Sequence, residues 1–140
     1  MSSALDNLCG SNRPLALEPP DAKEFAGLVH SGLTRLADAQ RIDNALESRF
    51  DLAYNASHAL CLAALRHCGY RSHHRYIVFQ VLPHTLGLGP EVWRVLSHCH
   101  DVRNAGEYEG DLNVSERLVE DLIIACRRVA ETLEQLAPID

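Results

Sequence analysis

Residues 47–71 read ESRFDLAYNASHALCLAALRHCGYR, and the spacing of their apolar side chains sets the fold class. Leu46, Phe50, Ala53, Ser57, Leu60 and Ala64 recur at helical intervals and form one mostly apolar stripe. Leu52, Ala56, Ala59 and Ala63 form a second stripe, made chiefly of Ala. A polar stripe of Asn44, Ser48, Asp51, Asn55 and His58 runs between them. The pattern predicts one long helix from about Asp43 to His67, stopped by Gly69. A helix with two apolar faces needs two partners. The bundle core supplies one. Small side chains let helices approach closely, so the Ala face is expected to seat a second subunit, giving a homodimer.

Working outward, Asp21 and Glu24 have capping-box spacing and predict a helix that carries Phe25, Leu28, Val29, Gly32, Leu33 and Leu36. Residues 1–19 sustain no apolar period and are broken by Gly, Asn and Pro, so they are expected to be a flexible tail. "SHHRYIVFQVL" at 72–82 has β-branched content, but Pro83 and the Gly-Leu-Gly-Pro of 87–90 leave no evident strand partner, so helix is preferred. Pro90 suits a helix first turn, and Val92, Trp93, Leu96 and Cys99 give that helix a buried face reaching about Glu107. A last helix is expected to open at Asn113, with Leu118, Leu122, Ala125, Cys126, Val129, Leu133 and Leu136 as its stripe. The expectation is an all-α chain, an up-and-down bundle of four to five helices in a single domain over residues 20–137.

The 140 residues suffice for one self-supporting core. A formal charge of −6 argues against a general nucleic-acid binder, although a local basic pocket is compatible with it. Five Cys at irregular spacing read as reduced thiols. The N-terminus lacks the basic and apolar regions of a signal peptide, and no apolar run approaches the ~18 residues of a membrane span. A cytoplasmic, membrane-free protein is expected.

"DVRNAGEYEG" at 101–110 is the most suggestive polar stretch. Arg103 falls near the apolar side of its helix, with His100 three residues before it and Glu107 four after; Asn104 and Tyr108 form a neighbouring pair. A guanidinium there suits a carboxylate or phosphate partner. The alternative is a helix-end ion pair between Arg103 and Glu107. Asp51, Asn55 and His58 could face this element across the bundle or form a solvated face. His98, Cys99 and His100 are adjacent, so on a regular helix they point ~100° apart and cannot converge on one metal. No metal and no cofactor are expected.

The helix order, together with residues 47–71, "HHRYIVFQVLPHTLGL" at 73–88 and "HDVRNAGEYEG" at 100–110, resembles the HEPN family, the higher-eukaryote and prokaryote nucleotide-binding domains. The resemblance spans roughly residues 40–136. It implies an up-and-down, commonly dimeric bundle. Its members are metal-independent endoribonucleases, often toxins of toxin–antitoxin pairs, or noncatalytic partners of nucleotidyltransferases. The family's catalytic element is an Arg, usually followed by a polar residue, then a His after four to six residues. Arg103 and Asn104 match its first half, but Tyr108 stands where the nearest His is expected. A phenol with a pKa near ~10 is a poor base at pH 7. The resemblance thus implies a cleft of Arg103, Asn104, Tyr108, Glu107 and His100 for RNA or nucleotide phosphate, with cleavage disfavoured. The alternatives are an interaction module for a nucleotidyltransferase or antitoxin, and an active ribonuclease toxin.

Overall fold

A computed structural model describes residues 3–110 and 112–139, without the side chains of Ser3, Tyr108 and Glu109. In chain order the elements are α1 (Ser3–Asp6), β1 (Leu15–Leu17), α2 (Ala22–Ala39), α3 (Leu46–His67), β2 (Tyr70–Ser72), α4 (Ile77–Gln80), α5 (Leu82–Thr85), α6 (Pro90–Glu109) and α7 (Glu116–Leu133). The chain is mostly helical, with one small two-stranded antiparallel sheet.

The caps explain where the long helices begin. Asp21 is extended, and its carboxylate accepts from the Lys23 amide at 3.0 Å. The capping box is not closed, because Glu24 turns to Arg66 at 2.6 Å. At α3 the expected Asp43 start is displaced to Leu46, and Asn44 instead donates to the Asp38 carbonyl at 2.9 Å, tying off the end of α2. Pro90 opens α6, and Gly110, at φ +72°, closes it two residues beyond the expected Glu107. Ser115 and not Asn113 caps α7, accepting from the Leu118 amide at 3.1 Å.

Side-chain pairings show how these helices run. Phe25 lies beside His67, Gly32 beneath Leu60, and Arg49 donates to the Ala39 carbonyl, so α2 and α3 are antiparallel. Tyr54 meets His100, and Phe50 and Asp51 share a cavity wall with Arg103 and Glu107, so α6 is antiparallel to α3. Val92 and Val95 sit opposite Ala125 and Arg128, and Cys99 lies near Asp121, reversing direction again. The four long helices therefore alternate in direction around a core that includes Phe50, Tyr54, Leu60, Phe79, Leu96 and Leu122.

Ala56 and Ala63 are fully buried within one chain. Gly32 of α2 covers Ala56, while Leu52 and Ala59 of the same stripe are only half-buried. A Cβ on Gly32 would lie 2.6 Å from two carbons of Leu60, itself buried, and 3.2 Å from the Ala56 carbonyl. Gly32→Val is expected to destabilise by about 2 kcal/mol through overpacking. Gly27, on the same helix, has nothing within 4 Å of a built Cβ, so Gly27→Ala should stabilise by up to about 1 kcal/mol through helix propensity. Urea unfolding of the two variants checks both signs.

The N-terminal residues correct the expectation of a tail. Leu5 and Leu15 are buried in the core, and the Tyr70 hydroxyl donates to Asp6. Leu15–Leu17 pairs with Tyr70–Ser72, so of the 72–82 stretch weighed as a strand only Ser72 lies in one. The helical expectation for 72–82 holds only for the short turns α4 and α5. Arg66 fastens these parts together from a nearly buried position. Its Nε donates to Glu24, and its terminal nitrogens donate to the carbonyls of Glu18, Pro19 and Tyr70. Glu18 adds a carboxylate oxygen 3.1 Å away and also holds Arg71.

Candidate functional site

Positions 100, 103, 104 and 107 share one side of α6, as helical spacing requires. They face Tyr54, the floor of the site, which is fully buried on α3. The Tyr54 hydroxyl and His100 Nδ1 are 2.8 Å apart, and Asn104 Nδ2 donates to His100 Nε2 at 3.0 Å. An amide nitrogen only donates, so Nε2 is the acceptor and the neutral ring carries its proton on Nδ1, directed at Tyr54. This bonding requires an uncharged imidazole. The electrostatics agree: burial lowers the His100 pKa, the charges of Arg103 and Arg75 lower it further, and only Asp101 opposes them.

Arg103 is one-quarter exposed, and its guanidinium carbon lies 5.0 Å from the Tyr54 ring centre. It also pairs with Glu107 at 3.4 Å, so the expected helix-end ion pair is present. Glu107 is 59% exposed, which makes that pair weak. A second guanidinium, Arg75, lies 5.7 Å from the same ring centre and donates to Asn55 Oδ1 at 3.4 Å. Burial raises the Tyr54 pKa, while the two arginines pull against it.

The polar residues of α3 are divided among these groups. Asn55 orients Arg75, and Asp51 lines a cavity of about 260 Å³ with Phe50, Arg103, Gly106, Glu107 and Leu112. His58 packs edge-on against Phe79 at 6.2 Å, and the Phe79 ring also lies 6.2 Å from that of His100. Burial lowers the His58 pKa to about 4, reinforced by Arg75, His100 and Arg103. The site therefore combines two cations and two neutral imidazoles with the carboxylates of Asp51 and Glu107, of which only Glu107 is in an ion pair with a site cation among the described residues.

The structure brings together His100, Arg103, Asn104 and Glu107 with Asp51, Asn55 and His58. The Tyr108 side chain lies outside the described residues. His98 is exposed and Cys99 is buried, with its thiol pKa pushed up to about 12 by that burial, so they diverge from His100 as helical geometry requires. Among the described residues no three His, Cys, Asp or Glu side chains gather as a metal site, and no helix is long and apolar enough to cross a membrane. Sequence reasoning missed Tyr54, Arg75, Tyr76 and Phe79. The i, i+4 spacing of Tyr54 and His58 was a usable signal, whereas Arg75 follows a turn and carries no periodicity. Comparison with protein-family models, with curated proteins and with solved structures finds no match to this chain.

Proposed function

We propose that the protein is a HEPN-like helical domain whose Arg103 cluster holds a phosphate group of RNA or of a nucleotide without cleaving it. One observation carries this reading. Arg75 and Arg103 approach a single buried ring, and among the described residues only the exposed Glu107 lies within ion-pair distance of either. A phosphate accepts from two guanidiniums better than a solvated carboxylate does. The neutral state of His58 and His100 lets the cations stand together without adding to their repulsion.

Cleavage is not part of the proposal. His100 has both ring nitrogens engaged, so neither is free to take a proton from a ribose hydroxyl. His58, with a pKa of about 4, is protonated in only about one molecule in a thousand at pH 7 and makes a poor general acid. Anisotropy titration of a labelled single-stranded RNA tests the reading. Arg103→Ala should weaken binding at least about tenfold, the loss of a charge-assisted contact, while the protein stays folded and the RNA stays intact. Unchanged binding with a lowered melting temperature would reduce Arg103 to its ion pair with Glu107.

A further inference from the structure

Beside the two arginines, residues 73–76 carry a feature that phosphate binding does not use. The rings of His74 and Tyr76 are stacked, with centres 5.8 Å apart and planes within 16°. His74 is exposed and Tyr76 is 41% exposed. The Tyr76 ring also lies 6.2 Å from His100, whose ring lies 6.0 Å from Tyr54. The aromatic rings thus run without interruption from the buried floor of the site to solvent. Arg75, between the two outer rings in sequence and exposed as they are, places its guanidinium carbon 5.7 Å from the Tyr54 ring centre. A cationic inner end joined to an aromatic outer end matches the two halves of a nucleoside phosphate.

We infer that the ligand presents an unpaired nucleobase beside its phosphate, with Arg75 and Arg103 gripping the phosphate and the stacked His74–Tyr76 pair receiving the base. This deepens the proposed function and rests on it. A base in a duplex has both faces covered by its neighbours, whereas an unpaired base offers a free face to an aromatic ring. The charge of the chain supports the same choice. At −6 overall, the protein repels a long polyanion and tolerates a short one placed against a local pair of cations. The ligand is therefore a free nucleotide or a short single-stranded segment. Asn55 acts as a positioning residue, accepting from Arg75 through its side-chain oxygen.

Four probes test this by calorimetry on the full chain: inorganic phosphate, adenosine monophosphate, a single-stranded RNA hexamer, and a hairpin duplex. The hexamer should bind at least tenfold more tightly than inorganic phosphate or the hairpin. Tyr76→Ala should weaken the hexamer about tenfold, the usual cost of losing one stacking platform. It should leave phosphate binding unchanged, and Tyr76→Phe should restore the hexamer. Adenosine monophosphate matching the hexamer would identify a free nucleotide as the ligand; a clear advantage for the hexamer would identify a strand. Unchanged hexamer binding in Tyr76→Ala, alongside loss in Arg103→Ala, would overturn the base platform and leave the phosphate reading intact. Binding of none of the probes would overturn both.

Discussion

Arg66→Met is expected to lower the free energy of unfolding by about 3 kcal/mol, a large fraction of what a domain of this size holds in reserve. The cost does not come from the charge alone, since Glu18 and Glu24 are one-third and two-fifths exposed and recover water when Arg66 is lost. It comes mainly from the carbonyls of Glu18, Pro19 and Tyr70, which share one guanidinium. Methionine keeps the stem that packs in the interior and removes every donor. Glu24→Gln keeps an acceptor near Nε and should cost about 1 kcal/mol or less, because half-exposed ion pairs contribute little. Urea unfolding of the two variants separates the roles. Equal losses would show that the ion pair, and not the carbonyl cradle, fastens the N-terminal segment.

Acid is expected to destabilise the protein through its own site. The His58 pKa is about 4 in the folded state, against 6.5 for the free side chain. Between those values the unfolded chain binds the proton more readily, so stability rises with pH across that window. It is fully present above about 6.5, falls as pH drops toward 4, and levels off below. The total for His58 is about 3 kcal/mol. His100 shifts in the same direction and adds to it. Carboxylates titrate in the lower half of the window, so the informative quantity is the difference between wild type and His58→Gln. The variant should show a shallower loss between pH 6.5 and 4.5. Identical slopes would mean that burial and the repulsion of the neighbouring arginines do not hold His58 neutral. Inorganic phosphate at millimolar concentration should restore part of the wild-type stability at pH 5, because an anion beside His58 favours its charged form.

The long helices were legible because each repeats its apolar side chains at helical spacing for several turns. Leu118 through Leu133 is the clearest case. The two faces of α3 were legible as well, but the identity of the second partner was not. A small-residue stripe reads the same whether another helix of the chain or a second subunit covers it, and Gly32 accounts for the part at Ala56. The strands were invisible for a different reason. Three residues are too few for alternation to register, and the strands are far apart in sequence. Within the site, His100, Arg103 and Asn104 followed from their spacing on one helix. Arg75 and Tyr76 did not, because they lie in a short irregular segment whose direction is set by Tyr70–Ser72 pairing behind it and by Ile77–Phe79 burying ahead of it.

The placement of the first strand also carries an expectation about the order of folding. Contacts between α2 and α3 join neighbours along the chain and can form as soon as both helices exist. The bond from Arg71 to Glu18, by contrast, closes a separation of 53 positions, and the β1–β2 ladder beside it is equally remote. Such closure is entropically costly until the intervening helices have shortened the path. Leu5 and Leu15 are therefore expected to dock after the long helices have condensed, with Arg66 as their latch. Native-state hydrogen exchange is expected to find the β1–β2 amides opening at a lower free energy than those of α3 and α7.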